Sequence, residues 1–165
     1  MDMGAFPAHC ELGPRERVLV VARVLHGSLY VWGGNLISDG GLDCSGFVQT
    51  CFMEAGIGAW ATKFPTKLDL TAQGLHDALA PIGPDEHPLP GDVACYGSSA
   101  TGINHVMLVE YMEPGGERVQ VVGASKGDRS CTSPDVALEK GARVKTFPSH
   151  RYRGDFVAFR RMPLS

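Results

Sequence analysis

The stretch Leu42-Asp43-Cys44-Ser45-Gly46-Phe47-Val48 decides how the chain is read. Phe47, Val48, Cys51, Phe52 and Ala55 recur at the spacing of one helical face, which predicts a helix from about Cys44 to Ala55 that stops at Gly56. Burying that face leaves the N-terminal end open. Unpaired N–H groups and about half a positive charge at that end favour a thiolate and can hold an oxyanion. Free cysteines are more often inert core residues. Here polar Asp43 and Ser45 flank the thiol, and Gly46 allows another backbone or a substrate to come close. Cys44 is therefore read as a nucleophile.

Upstream lies Tyr30-Val31-Trp32-Gly33-Gly34, a strand-like aromatic run broken by two glycines, followed by a loop from Asn35 to Gly41. Before it, Pro14 suits the first position of a helix whose apolar face is Val18, Leu19, Val21, Ala22 and Leu25, with Gly27 as its stop. Downstream, Ile57 to Pro65 reads as irregular. A short helix is expected between Thr66 and Leu79, capped by Thr66 or Thr71 and burying Leu75 and Leu79. Pro81 to Pro90 crosses the surface, and from Gly91 the pattern changes to strands. Asp92 to Tyr96, His105 to Tyr111 and Val119 to Gly123 are expected strands, the last two joined as an antiparallel hairpin by the Glu113 to Glu117 turn. Lys126 to Pro134 is a polar loop, and Arg143 to Phe147 and Asp155 to Arg160 add short strands. Helices followed by consecutive strands predict an α+β fold with helices packed on one face of an antiparallel sheet. A chain of 165 residues fits one domain, taken as 14–165 behind an N-terminal tail of 1–13.

Composition narrows the function. With 44% hydrophobic and 20% charged residues the chain is an ordinary globular one, and 21 glycines and 11 prolines argue against a helical bundle. No stretch approaches the roughly 18 apolar residues of a membrane span. No nucleic-acid module is recognisable, and Met1 to Glu11 lacks the basic start and apolar core of a signal peptide. Five cysteines without a Cys-x-x-Cys suit neither a disulfide framework nor a zinc site, and no metal or cofactor is implied. The net charge of −3 hides an asymmetry of 5 basic against 14 acidic residues through Glu117, and 10 against 4 from Arg118 onward. Two halves that pack together and mix their charges on the surface account for it without an anionic partner.

A cysteine nucleophile needs a base, and of the six histidines His105 is best placed, opening a strand directly after a glycine-rich loop. His26 stands where it would complement a helix C-terminus. His9, His76, His87 and His150 fall in a tail, a short helix or loops. These motifs in this order resemble the NlpC family of papain-like cell-wall cysteine peptidases: Tyr30-x-Trp32-Gly33-Gly34, Asp43-Cys44-Ser45-Gly46-Phe47-Val48, Pro90-Gly91-Asp92-Val93 with Tyr96-Gly97, and His105-Val106. The resemblance runs from about Pro14 to Arg161.

The resemblance implies a circularly permuted papain-like fold that hydrolyses amide bonds of peptidoglycan stem peptides, commonly the γ-D-glutamyl to diamino-acid bond. It assigns attack to Cys44 and proton transfer to His105, with Tyr30 and the Cys44 N–H beside the oxyanion. Asp43 and Ser45 would hold a free amine of the stem peptide, and Trp32 is counted with the substrate-binding residues. A carboxylate beside the nucleophile opposes thiolate formation, so a cationic substrate group accounts for Asp43. The family places a ring-orienting polar residue on the strand after the base. Counting through the turn puts Gly123 there, which has no side chain, and Ser125 is taken as the substitute ahead of Asp128. The alternative is a weak or silent relative that binds stem peptides or serves as a phage-tail structural module. Oligomeric state stays open. The site of action implied is the cell envelope, reached by phage particle, secretion machine or lysis.

Overall fold

The computed structural model describes residues 11–35 and 39–163. The chain begins with helix α1 (Pro14–Leu25), followed by α2 (Cys44–Glu54), a single-turn α3 (Trp60–Lys63) and α4 (Ala72–Ala78). Strands β1 (Val93–Ser98), β2 (Gly102–Met112) and β3 (Val119–Ser125) come next, then α5 (Pro134–Lys140), β4 (Arg143–Phe147), a helical turn at His150–Tyr152 and β5 (Phe156–Arg160). The five strands form one antiparallel sheet in the order β4-β3-β2-β1-β5. The α+β expectation holds. Residues 1–10, with Cys10, His9 and most of the expected tail, lie outside the described residues.

Alternation along the strands divides the interior in two. Val93, Cys95, Val106, Leu108, Val122, Ala124 and Val144 face the helices and join Val18, Phe47, Phe52 and Leu75 in the main core. Tyr96, Met107, Val109 and Val121 face the other way into a smaller cluster with Phe147, Tyr152, Phe156 and Phe159. His105 falls on this second face by the same alternation. Helix α2 is not a half-exposed helix with one apolar face. Every residue from Cys44 to Phe52 is buried, because α1, α3, α4 and the sheet pack around it.

Local chemistry explains where the elements begin. Asp43 caps α2, its Oδ1 accepting from the Gly46 N–H at 2.7 Å. Thr71 rather than Thr66 caps α4, accepting from the Gly74 N–H at 3.0 Å. Gly46 has no room for a side chain, since an added Cβ would strike the Gly34 carbonyl oxygen. The close approach it permits is that of the Tyr30–Gly34 loop rather than a substrate.

Other expectations are corrected. The strand-like run from Tyr30 to Gly34 is no strand; the bridge beside it is Leu29 to Arg143. The stretch read as irregular contains α3, and α5 follows the polar loop with its own signals: Ser133 as cap, Pro134 in the first turn and Gly141 left-handed at φ 63°. The register of the central hairpin also differs. Val109 pairs with Val121 and Leu108 with Val122, after a shift between Val109 and Tyr111. Continued in step, that register puts Gly123 level with Met107 and Ser125 level with His105. A Cβ at Gly123 would meet the Met107 sulfur.

The charged halves do mix. Buried Asp92 accepts from Arg15 at 2.8 Å and from Arg161 at 2.6 Å, and Arg161 also pairs with Glu86 at 2.8 Å.

Candidate active site

Cys44 sits at the first position of α2, at the floor of a cleft of about 340 Å³. Tyr30, Trp32, Asp43 and Ser45 line one side, and Thr71, Ala72, Thr101, Ile103 and Asn104 the other, with Arg129 reaching in from the loop after β3. A larger opening at His26, Arg143 and Lys145 lies away from the thiol. Buried Gln49 fixes the second wall: its Oε1 accepts from the Leu70 N–H at 2.8 Å and the Trp60 indole at 3.2 Å, and its Nε2 donates to the Leu70 carbonyl at 2.8 Å. No sequence signal marked Gln49, which sits among the apolar positions of the helix.

The thiol is not lowered by its helix end. Burial, and then the charge of Asp43, push Cys44 up to about 11, against the opposing hydrogen bonds from the N–H groups of Val106, Ser45 and Cys44 itself. Those donors place the sulfur against the backbone of β2, one residue from His105. The imidazole is almost fully buried, and burial first, then the Arg153 charge, drive it down to about 3. At neutral pH the resting groups are thiol and neutral ring.

His105 has a partner that sequence reasoning missed. Its Nε2 meets the Tyr152 hydroxyl at 2.8 Å. Tyr152 is stacked on Phe147 with ring centroids 3.9 Å apart, and packs edge-on against Tyr96 at 5.6 Å. Ser125, which the register brings level with His105, hydrogen-bonds the Tyr152 hydroxyl rather than the ring. Burial raises the Tyr152 phenol, so it stays protonated, and its oxygen can accept from the ring and from the Ser125 hydroxyl. Asp128 stands elsewhere, bound to Ser130 at 2.8 Å and Lys140 at 3.2 Å.

The remaining expected residues also gather here. Tyr30 is buried beside Cys44, and burial together with the Cys44 charge raises its phenol. The carboxylate of Asp43 is already engaged: Oδ1 takes the Gly46 N–H and, at 3.3 Å, the Ser45 hydroxyl, while Oδ2 takes the Gly33 N–H at 3.1 Å. It is thus a helix cap and a clamp on the Trp32-Gly33 turn, as well as part of the cleft wall. Trp32 is half exposed at 48%. His150 is buried near Phe156 and Phe159, and His76 lies between Asp77 and Arg160. The four described cysteines are free, and no cluster of ligands suited to a metal ion occurs among the described residues.

The model of the NlpC/P60 family matches residues 27–134, which carry the cleft, Cys44 and His105. The chain belongs to the NlpC/P60 family. Over 107 residues it is 37% identical to the bifunctional muramidase/DL-endopeptidase CwlT of Bacillus subtilis, covering 64% of this chain but only 29% of that protein. The solved NlpC/P60 domain of the peptidoglycan hydrolase SagA superposes with a TM-score of 0.57 at 23% identity, covering 90% of this chain and 98% of that one. RipD of Mycobacterium tuberculosis, described as a non-catalytic NlpC/P60 protein adapted to peptidoglycan binding, superposes at 0.59 with 18% identity, covering 92% and 98%. The fold is therefore the papain-like fold of this family. Tyr152 lies beyond the matched residues, which is why the motifs gave no sign of it.

Proposed function

We propose that the protein is a cysteine endopeptidase of peptidoglycan stem peptides, acting on the γ-D-glutamyl to diamino-acid bond, with residues 14–165 as one catalytic domain. The hydrogen bond between His105 Nε2 and the Tyr152 hydroxyl carries this reading. With Nε2 protonated and held, the lone pair of Nδ1 is free for the thiol. On binding, Cys44 Sγ attacks the scissile carbonyl as its proton passes to Nδ1. The Cys44 N–H and the Tyr30 hydroxyl receive the oxyanion, and the imidazolium returns its proton to the leaving amine. Water, deprotonated by the same nitrogen, hydrolyses the thioester. Asp43 and Ser45 form the amine-facing part of the wall. Tyr152 orients the ring, and Ser125 positions Tyr152.

The test is incubation with purified sacculi and identification of released muropeptides by mass. Wild type releases fragments ending in γ-D-glutamate, Cys44→Ala and His105→Ala release none, and Tyr152→Phe releases them slowly. Equal release by Cys44→Ala sinks the peptidase. Binding of stem peptides without any release selects a silent relative of the RipD kind.

A further inference from the structure

Arg129 is a cation in the cleft with no hydrogen-bond or ion-pair partner among the described residues. Its guanidinium lies over the Trp32 ring, 5.7 Å from the centroid, and no described ion pair or hydrogen bond takes its N–H groups. The two carboxylates nearest in sequence or on the cleft wall are both engaged. Asp128 is held by Ser130 and Lys140, and Asp43 by Gly46, Gly33 and Ser45. The Trp32 main chain is held, its backbone N–H donating to the Cys131 carbonyl at 2.8 Å. A guanidinium seated over an aromatic ring keeps its planar N–H edge for a ligand, and that edge matches a carboxylate with two parallel hydrogen bonds.

We propose that Trp32 and Arg129 form a carboxylate-binding subsite that makes the protein select stem peptides carrying a free carboxylate next to the scissile bond. The proposal rests on the stem-peptide reading above. A γ-linked glutamyl residue leaves its α-carboxyl free beside the reacting carbonyl, and a diamino acid on the leaving side carries carboxyls of its own. In both the shared chemistry is a carboxylate that amidation would neutralise. Asp43 at one part of the wall and Arg129 at another give the cleft opposite charges, suited to a zwitterionic peptide.

The experiment uses three synthetic L-alanyl-γ-D-glutamyl-diaminopimelate peptides: all carboxyls free, the glutamyl α-carboxyl amidated, or the distal diaminopimelyl carboxyl amidated. Cleavage and calorimetric binding are measured with wild type, Arg129→Ala and Arg129→Lys, and binding also with each Arg129 state on a Cys44→Ala background. Wild type is expected to lose roughly ten- to a hundredfold in kcat/KM when the contacted carboxyl is amidated, as for a lost charged hydrogen bond. The amidated peptide that loses identifies the source. Arg129→Ala should cleave free and amidated forms alike, at the rate of wild type on the amidated one. Arg129→Lys should keep part of the preference, since it retains the charge without the fork. Preference surviving in Arg129→Ala, or no preference in wild type, overturns the subsite. If nothing is cleaved, the endopeptidase reading fails separately, and carboxylate-dependent binding abolished by Arg129→Ala still supports the subsite. Absence of both cleavage and binding overturns both.

Discussion

Cys44 and His105 rest as a neutral pair because burial acts on each in the direction that removes its charge. The sequence suggests the opposite for the thiol, since a helix N-terminus stabilises a thiolate; in the folded chain the loss of solvation and the Asp43 charge outweigh that end. Alkylation by iodoacetamide should therefore be slow at neutral pH and climb steadily toward pH 11, the thiol being lost as protons leave it. Asp43→Asn removes the neighbouring negative charge, so its alkylation curve should move to lower pH. A wild-type rate already level between pH 6 and 8, in a stopped-flow or mass-shift assay, would show a preformed ion pair instead. Tyr152→Phe tests the ring partner. It keeps the stack on Phe147 but removes the hydroxyl from Nε2, and kcat should fall by roughly a hundredfold, the low end of what positioned acid–base catalysis supplies. Ser125→Ala, one bond further out, should cost less. Equal losses in the two would mean that Ser125 reaches the ring directly.

At the scale of elements, helix α2 depends on a contact that leaves no space for a methyl group. Gly46→Ala gains about 1 kcal/mol of helix propensity. Its Cβ would overlap the Gly34 carbonyl and come within 2.8 Å of Asp43 Oδ1, so backbone must shift. Overpacking of that kind costs about 3 kcal/mol, and a net loss near 2 is expected by urea unfolding. Activity should fall further than stability, because the atoms displaced hold Cys44. Gly154→Ala, with nothing near its Cβ, should change neither. Helix α2 was legible from its apolar spacing, though not the capping role of Asp43, and His105 from its place near the start of a strand. The orienting residue was not. The β2–β3 ladder starts with Met112 opposite Val119 and slips by one residue between Val109 and Tyr111, so Ser125 and not Gly123 comes level with His105; the count through the turn fell two residues short. Tyr152 arrives from 47 residues downstream, on a turn whose sequence shows only that it is aromatic and basic. Helix α5 was legible in principle, since Ser133-Pro134 and Gly141 bracket it, but seven residues give a weak period.

Over the whole molecule, one buried carboxylate joins the two ends of the described chain. Asp92 takes Arg15 from α1, Arg161 and the Met162 N–H from beyond β5, and the Leu89 N–H from its own turn. Asp92→Ala leaves these donors facing one another without their acceptor and should cost about 3 kcal/mol in urea unfolding, as for breaking a buried pair. A loss under about 1 kcal/mol would assign the two arginines to solvent. Because β5 pairs with β1 and the turn before it supplies Tyr152, the C-terminal segment both completes the sheet and provides the partner of His105. This has a consequence for the order of synthesis. Cys44 and His105 leave the ribosome well before Tyr152, so a nascent chain holds both while the ring is still unheld. A chain ended at Pro148 should release no muropeptide, and supplying residues 149–163 as a separate peptide should restore release. On the proposed function, cleavage waits until β5 and the turn before it have been translated.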